Sequence, residues 1–200
     1  MSDTTFEKYF TVEEERRLLR AVAQYGDPYA RRDHAWMRLL RHSGIRVGTL
    51  AGLTVLDAQR ALRERRLELR REISKGGRGY AVPLNRKARE ALRDLLRIRR
   101  ELGHAPNPDA PLVMSRNHRG MSVRSFQARG QHWAQLAGLP FSANPHRWRH
   151  TLGKRIQAQS TSPDPRGIAQ RVLGHASINS TAIYTQPDRE DLALAVEEAA

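Results

Sequence analysis

One stretch of the chain is written at a different period from the rest, and it sets the class of fold. From Arg65 to Ile73, apolar residues alternate with charged ones: Leu67, Leu69 and Ile73 share a parity, with Arg66, Glu68, Arg70 and Glu72 between them. Tyr80, Val82 and Leu84 alternate in the same way. A period of two marks strands with one face buried. Lys75-Gly76-Gly77-Arg78-Gly79 lies between the two runs, and a glycine-rich gap of this kind predicts a hairpin.

The remaining signals are helical. Thr11 and Glu14 form a capping-box pattern ahead of a stripe of Leu18, Leu19 and Val22, which ends near Gly26-Asp27-Pro28. A second helix is predicted from Pro28 to His42, burying Trp36, Leu39 and Leu40 and stopped by Gly44. Arg46 follows that break, at the start of a short third helix over residues 47–53, a place from which a guanidinium can be aimed. Asn85 caps a helix to about Leu102 carrying Ala88, Ala91, Leu92, Leu95, Leu96 and Ile98. A proline-rich loop follows, then a short strand at Leu112-Val113-Met114, and a helix from Ser122 to Ala137 stopped by Gly138. Further helices are predicted over residues 145–159, 166–173, 179–185 and 188–198. The predicted fold is mainly α with a small antiparallel β-sheet, an α+β arrangement in one domain spanning residues 1–200.

Composition narrows the partner. The chain of 200 residues is long enough for one domain with a real core. It has no cysteine, so disulfides, thiolate metal sites and thiol nucleophiles are excluded. No apolar run approaches the ~20 residues of a membrane span, and the start has neither the basic nor the apolar region of a signal peptide. No membrane partner is expected, and the location expected is cytoplasmic. The net charge of +14 points to a polyanionic partner. Arginine supplies almost all of it, with lysine only at Lys8, Lys75, Lys87 and Lys154, and guanidinium groups bind phosphate in bidentate fashion.

The chemistry concentrates between Asn144 and Gln186. His146 and Arg149 stand three apart and share one face of a helix. Leu173-Gly174-His175 is followed nine residues after the histidine by Tyr184. With Pro145-His146-Arg147-Trp148-Arg149-His150-Thr151, Ser43-Gly44-Ile45-Arg46 and the Lys75 turn, this ordered set resembles the catalytic domain of tyrosine recombinases of the phage integrase family. The resemblance covers about residues 11–190.

That resemblance implies a site-specific enzyme that cleaves and rejoins double-stranded DNA through a 3′-phosphotyrosyl intermediate, with neither metal nor ATP and no cofactor. Tyr184 would be the nucleophile, and Arg46 and Arg149 would clamp the phosphate oxygens. His146 and His175 would donate hydrogen bonds there or shuttle the tyrosine proton. Lys75 would protonate the leaving 5′-oxygen, and the glycines after it suit a loop that closes over DNA. The family further implies a homo-oligomer, a tetramer on paired sites, and a nucleoid-associated protein of bacterial or phage origin.

Two other functions share the fold: a DNA-binding regulator that no longer cuts, and a type IB topoisomerase. The histidines have another reading too, since His146 and His150 are spaced as in a zinc motif. Arg147 and Arg149 stand between them and no carboxylate ligand follows closely, so no metal is expected. His150 is expected to pack or hydrogen-bond behind Arg149.

The chain departs from the family in three places. Thr49 stands where the family commonly has an acidic residue three after the first arginine. The segment between Arg149 and His175 is longer than usual and contains Pro163 and Pro165, which predicts a larger surface loop. No N-terminal core-binding domain is expected in this chain, so it would be either a natural minimal recombinase, like the short fimbrial DNA invertases, or an excised catalytic domain. In the last predicted helix, Leu192, Ala195 and Val196 share one face. That face packs on its own domain or, as the resemblance implies, docks on a neighbouring protomer.

Overall fold

The computed structural model describes residues 9–74, 77, 79–175, 181 and 189–199. The helix α1 (Val12–Ala23) opens on the expected capping box: Glu14 N–H donates to Thr11 Oγ1, and Thr11 N–H donates to Glu14 Oε2. The next helix, α2 (Pro28–Ser43), begins with Pro28 in the first turn and the Asp27 carboxylate accepting from Tyr29 and Ala30 N–H. It ends at Gly44, which is left-handed at φ 63. A side chain would be strained there, and a Cβ would also lie 2.6 Å from Leu173 Cδ2 and 2.8 Å from Leu152 Cδ2. Only glycine lets the end of α2 come so close to two later helices.

Short α3 (Val47–Gly52) follows, with Arg46 as its N-cap residue. Then comes α4 (Val55–Glu64), a helix the sequence reading did not assign. Thr54 and Asp57 close a second capping box at its start, and Val55, Ala58 and Ala61 form its buried face.

The hairpin is present as β1 (Arg66–Leu69) and β2 (Tyr80–Pro83), antiparallel, with Leu67 opposite Val82. The first strand is shorter than expected. It stops at Leu69, and Arg71–Ile73 turn into a 3-10 helix. Ile73 leaves the strand because it fills a gap over α3: a Cβ on Gly52 would lie 2.5 Å from Ile73 Cγ2. Thr49 Oγ1 donates to Ile73 O at 3.0 Å, fixing the turn to α3.

After α5 (Arg86–Glu101), capped by Asn85, the segment expected as a strand at Leu112–Met114 makes only isolated bridges, Thr54 with Pro111 and Met114 with Gly120. Pro111 has no N–H with which to extend a ladder. Then come α6 (Val123–Leu136), α7 (Pro145–Gln159), α8 (Pro165–Leu173) and α9 (Arg189–Glu198). Pro165 thus starts a helix rather than extending the surface loop before it. The helix expected over residues 179–185 lies largely outside the described residues.

The core forms around α2, which packs on α5, α7 and α1. Trp36, Trp148, Phe10 and Phe126 are its largest fully buried side chains. A carboxylate sits inside it. The Asp33 carboxylate, with no exposed surface, accepts from Arg32 Nε (3.0 Å) and Nη2 (2.7 Å), Trp36 Nε1 (3.0 Å), Arg129 Nε (2.6 Å) and Trp133 Nε1 (2.9 Å). It joins α2 to α6. Such a charge is tolerated inside because its lone pairs are filled, and removing it strands two guanidinium groups. Asp33→Ala is therefore expected to lower the unfolding free energy in urea by about 3–5 kcal/mol. A loss below about 1 kcal/mol would show that the cluster does not hold α6 in place.

Candidate active site

Three elements deliver the site. The first is the end of α2, where the left-handed turn at Gly44 leads through Ile45 to Arg46. Arg46 has extended backbone (φ −72, ψ 149) and is half-buried, with its side chain leaving from the start of α3. The second is α7. Asn144 caps it by accepting from His146 N–H at 3.0 Å, and Pro145 occupies the first turn. Its first turns put His146 at the surface and bury Arg149, whose residue exposure is 3%. The third is the end of α8, where Gly174 turns left-handed at φ 59 and presents His175. The Tyr80 ring lies so close to Gly174 that no side chain fits there.

Arg149 is tied to the other two elements. Its Nη1 donates to Gly44 O at 2.7 Å and its Nη2 donates to Leu173 O. Both acceptors lie at helix C-termini, where unpaired carbonyls carry partial negative charge. The Tyr80 hydroxyl donates to the same Leu173 carbonyl at 3.4 Å. Thus β2, just after the Lys75 turn, meets α7 and α8 at one oxygen.

His175 is half-buried. Its Nδ1 lies 2.9 Å from Thr181 Oγ1, and Gln170 Nε2 donates to its carbonyl at 3.3 Å. Burial pushes the His175 imidazole down to about 4, and the positive charges of Arg149, Arg46 and His146 push in the same direction. The imidazole is therefore neutral at physiological pH. Arg46, His146 and Arg149 thus all lie within electrostatic reach of His175. Four of the six residues singled out in the sequence come together. Lys75 and Tyr184 lie outside the described residues.

Neighbours of the site follow the sequence reading unevenly. His150 stands edge-on to His146, with ring centroids 5.5 Å apart. Thr49 is buried and ties α3 to the turn before Ser74. The carboxylate usual at that position is thus replaced by a hydroxyl that fixes backbone. No local signal marks the Gly44 and Leu173 carbonyls as Arg149 partners, Thr181 as a His175 partner, or Tyr80 behind Gly174. Among the described residues, no group of three or more His, Cys, Asp or Glu could hold a metal, and no helix is long and apolar enough to cross a membrane.

The buried histidines set a pH dependence. His42, like His175, is pushed down from 6.5 to about 4, chiefly by burial and then by Arg41. Between these values the unfolded chain binds protons that the folded chain refuses, so stability falls as pH drops. Both imidazoles should stay neutral at pH 6 in NMR spectra of histidine-labelled protein, with denaturant midpoints level above pH 6.5 and falling toward pH 4. A His175 titration near its ordinary value would contradict this account of the site.

The chain is similar to known proteins in sequence and in fold. The model of the phage integrase family matches residues 8–191. Tyrosine recombinase XerC of Shewanella amazonensis is 36% identical over 167 residues, which cover 84% of this chain and 53% of the relative. XerC of Proteus mirabilis is 32% identical over 173 residues, covering 86% and 53%. The chain thus spans about half the length of the relatives it matches. In fold it is similar to a crystal structure of XerA recombinase (TM-score 0.75, 23% identity, 96% of this chain and 65% of the other). It is similar also to XerH site-specific recombinase bound to palindromic difH substrate in a post-cleavage complex (TM-score 0.70, 20% identity, 94% and 52%). The family match spans the hairpin, the α7 motif and the Leu173-Gly174-His175 segment, and the chain belongs to the phage integrase family, the tyrosine recombinases.

Proposed function

We propose that this chain is the catalytic domain of a site-specific recombinase that cleaves and rejoins duplex DNA. The observation carrying this reading is the charge around His175: Arg149, Arg46 and His146 all act on it with the same positive sign. A concentration of like charge is held together at a cost, and an anion seated among the groups offsets it. A phosphodiester is that anion. Arg46 and Arg149 donate to its non-bridging oxygens, where preorganised donors stabilise the charge that grows in the transition state.

Tyr184 supplies the nucleophile. A bond forms from its Oη to phosphorus as the bond from phosphorus to the 5′-oxygen breaks. A phenol with a pKa of ~10 needs its proton taken, and a neutral imidazole has the lone pair to take it. A histidine depressed to about 4 is in that form throughout the physiological range. Lys75 gives a proton to the leaving 5′-oxygen. Attack by a 5′-hydroxyl on the phosphotyrosine reverses each step, so the phosphodiester is conserved and no ATP is used. The Xer names of the relatives favour recombination over relaxation by a topoisomerase or repression by a non-cutting regulator. We place the working form as a tetramer on paired sites, inside the cell with its DNA.

The chain's last helix fits that assembly. On α9, Leu192 (55%) and Val196 (71%) are exposed, an apolar face suited to a neighbouring protomer. A helix of about ten residues is marginal alone in water and gains from a dock. Deleting residues 188–200 is expected to leave a folded protein that binds one site but loses cooperative assembly and recombination. Unfolding of the truncated chain, or unchanged recombination, would rule this out.

The chemistry is tested with nicked suicide duplexes selected from a randomised library, which trap a covalent adduct once the cut strand diffuses away. Wild type should form the adduct, and Tyr184→Phe should bind DNA equally well and form none. Lys75→Ala should be slow on a normal 5′-oxygen and recover on a 5′-bridging thiolate, which leaves without a proton. An adduct with Tyr184→Phe would remove the nucleophile assignment. Equal Lys75→Ala defects on both substrates would remove the acid, and DNA binding by wild type without any adduct would favour the regulator.

A further inference from the structure

The outer face of α5 is lined with arginine. Arg86, Arg89, Arg93, Arg97 and Arg100 are spaced by three and four residues, so at about 100° per residue they fall within an arc of about 80°, and all but the half-buried Arg89 are exposed. The buried residues Ala88, Ala91, Leu92, Leu95 and Ile98 lie on the opposite side. The stripe runs about 21 Å at 1.5 Å per residue. It points away from α2, on which α5 packs and whose end leads to Arg46. It therefore lies on the side of α5 away from the helix that leads to Arg46.

Nothing in the fold accounts for so many like charges. Cations are disfavoured at a helix N-terminus, yet α5 begins Arg86-Lys87 and has no acid in its first turn. Arg89, Arg93 and Arg97 form successive i, i+4 pairs of like sign, each destabilising by a few tenths of a kcal/mol. The acids of α5 sit together on one flank and turn toward α2: Glu90 and Asp94 both pair with Arg38, and Glu101 pairs with Arg31. Arg97 shares Asp94 with Arg38 and holds it at 2.7 Å, and Arg86 only reaches Glu90 at 3.7 Å. Among the described residues, Arg89 and Arg93 form no ion pair. By contrast, α1 opens with Glu13, Glu14 and Glu15 ahead of its arginines.

We infer that the α5 arginine stripe is a second DNA-binding surface, which holds a segment of duplex away from the cleft by its phosphate backbone. This rests on the reading of the chain as a DNA enzyme and adds a separate contact to it. A straight row of guanidinium groups complements a polymer with a charge every 3.4 Å along each strand. Contacts to phosphate carry no sequence information, so the stripe holds DNA of any sequence.

The test compares two matched pairs. Arg93→Ala with Arg97→Ala removes two exposed helical charges four apart, one of them ion-paired. Arg16→Ala with Arg20→Ala does the same on α1, where Arg16 pairs with Glu13. Alanine favours helix at all four positions, so both variants should fold. Affinity for a labelled random-sequence duplex, long enough to reach beyond the cleft, is measured against salt by fluorescence anisotropy. Each phosphate contact contributes about 0.9 to the slope of log K on log salt, so the α5 pair should reduce the slope by about 1.8 and the α1 pair by less than half of that. Equal reductions in the two variants would mean a general effect of net charge, and an unchanged slope in the α5 variant would mean no contact. Either result overturns the stripe. Because the slope is read without cleavage, failure to form a Tyr184 adduct bears on the catalytic reading alone.

Discussion

The structure depends on one buried charge being bridged. Arg149 is 3% exposed, and taking an isolated guanidinium out of water costs several kcal/mol. The cost is met by backbone: Gly44 O at the end of α2 and Leu173 O at the end of α8. A hydrogen bond to a charged group is worth about 1.5–3 kcal/mol, so two such bonds come close to balance without supplying a surplus. Arg149 therefore does little for stability and much for geometry. Its planar fork reaches both helix ends together, and a lysine ammonium, a point charge on a flexible stem, would not hold the same orientation.

Two glycines make that bridge possible. Gly44 stops α2 in a left-handed turn while leaving space for Leu152 and Leu173, and Gly174 does the same for α8 beneath the Tyr80 ring. Each turn exposes helix-end carbonyls on one side and delivers a functional side chain on the other, Arg46 after the first and His175 after the second. A side chain at either glycine would both strain the turn and push the helices apart. The geometry of the candidate site is thus a product of how helices end. The hairpin joins the same point through Tyr80 and Leu173 O, so the strand after Lys75 and the helix end before His175 share an anchor.

The elements visible in the sequence were those with local signals. Thr11 with Glu14, Asn85 and Ser122 each cap a helix where expected, and two more helices begin at Pro28 and Pro145 as expected, capped by Asp27 and Asn144. The α4 helix escaped because Ala58 and Ala61 make its buried stripe of small residues, and because Asp57 stands where a capping box more often has Glu or Gln. Both errors of strand assignment share one cause: the pattern of Leu69 to Ile73 and of Leu112 to Met114 is strand-like, but contacts far along the chain decide. Ile73 is claimed by Gly52, and Pro111 cannot donate. In the site, the spacing of Arg46, His146, Arg149 and His175 was legible because side-chain chemistry selects residue type. The partners of Arg149 were not, since every residue has a carbonyl. Nor was the Asp33 cluster, whose donors Arg129 and Trp133 lie 96 and 100 residues away.

Arginine serves this chain in two ways that its composition alone does not separate. Inside, Arg32 and Arg149 are held by a carboxylate or by carbonyls in the fixed geometry of a planar fork. Outside, along α5, they stand in a row on a helix whose own start disfavours them. The two uses differ in what fixes the group. A buried guanidinium is held by the fold before any ligand arrives, so it can act in a transition state without reorganising. An exposed one gives up rotamer freedom only on binding, and its contribution is screened within a Debye length of about 8 Å at physiological salt. The buried guanidinium is thus preorganised for a single anion, and the exposed row suits many anions held weakly, with a grip that salt can loosen while the buried group keeps its arrangement.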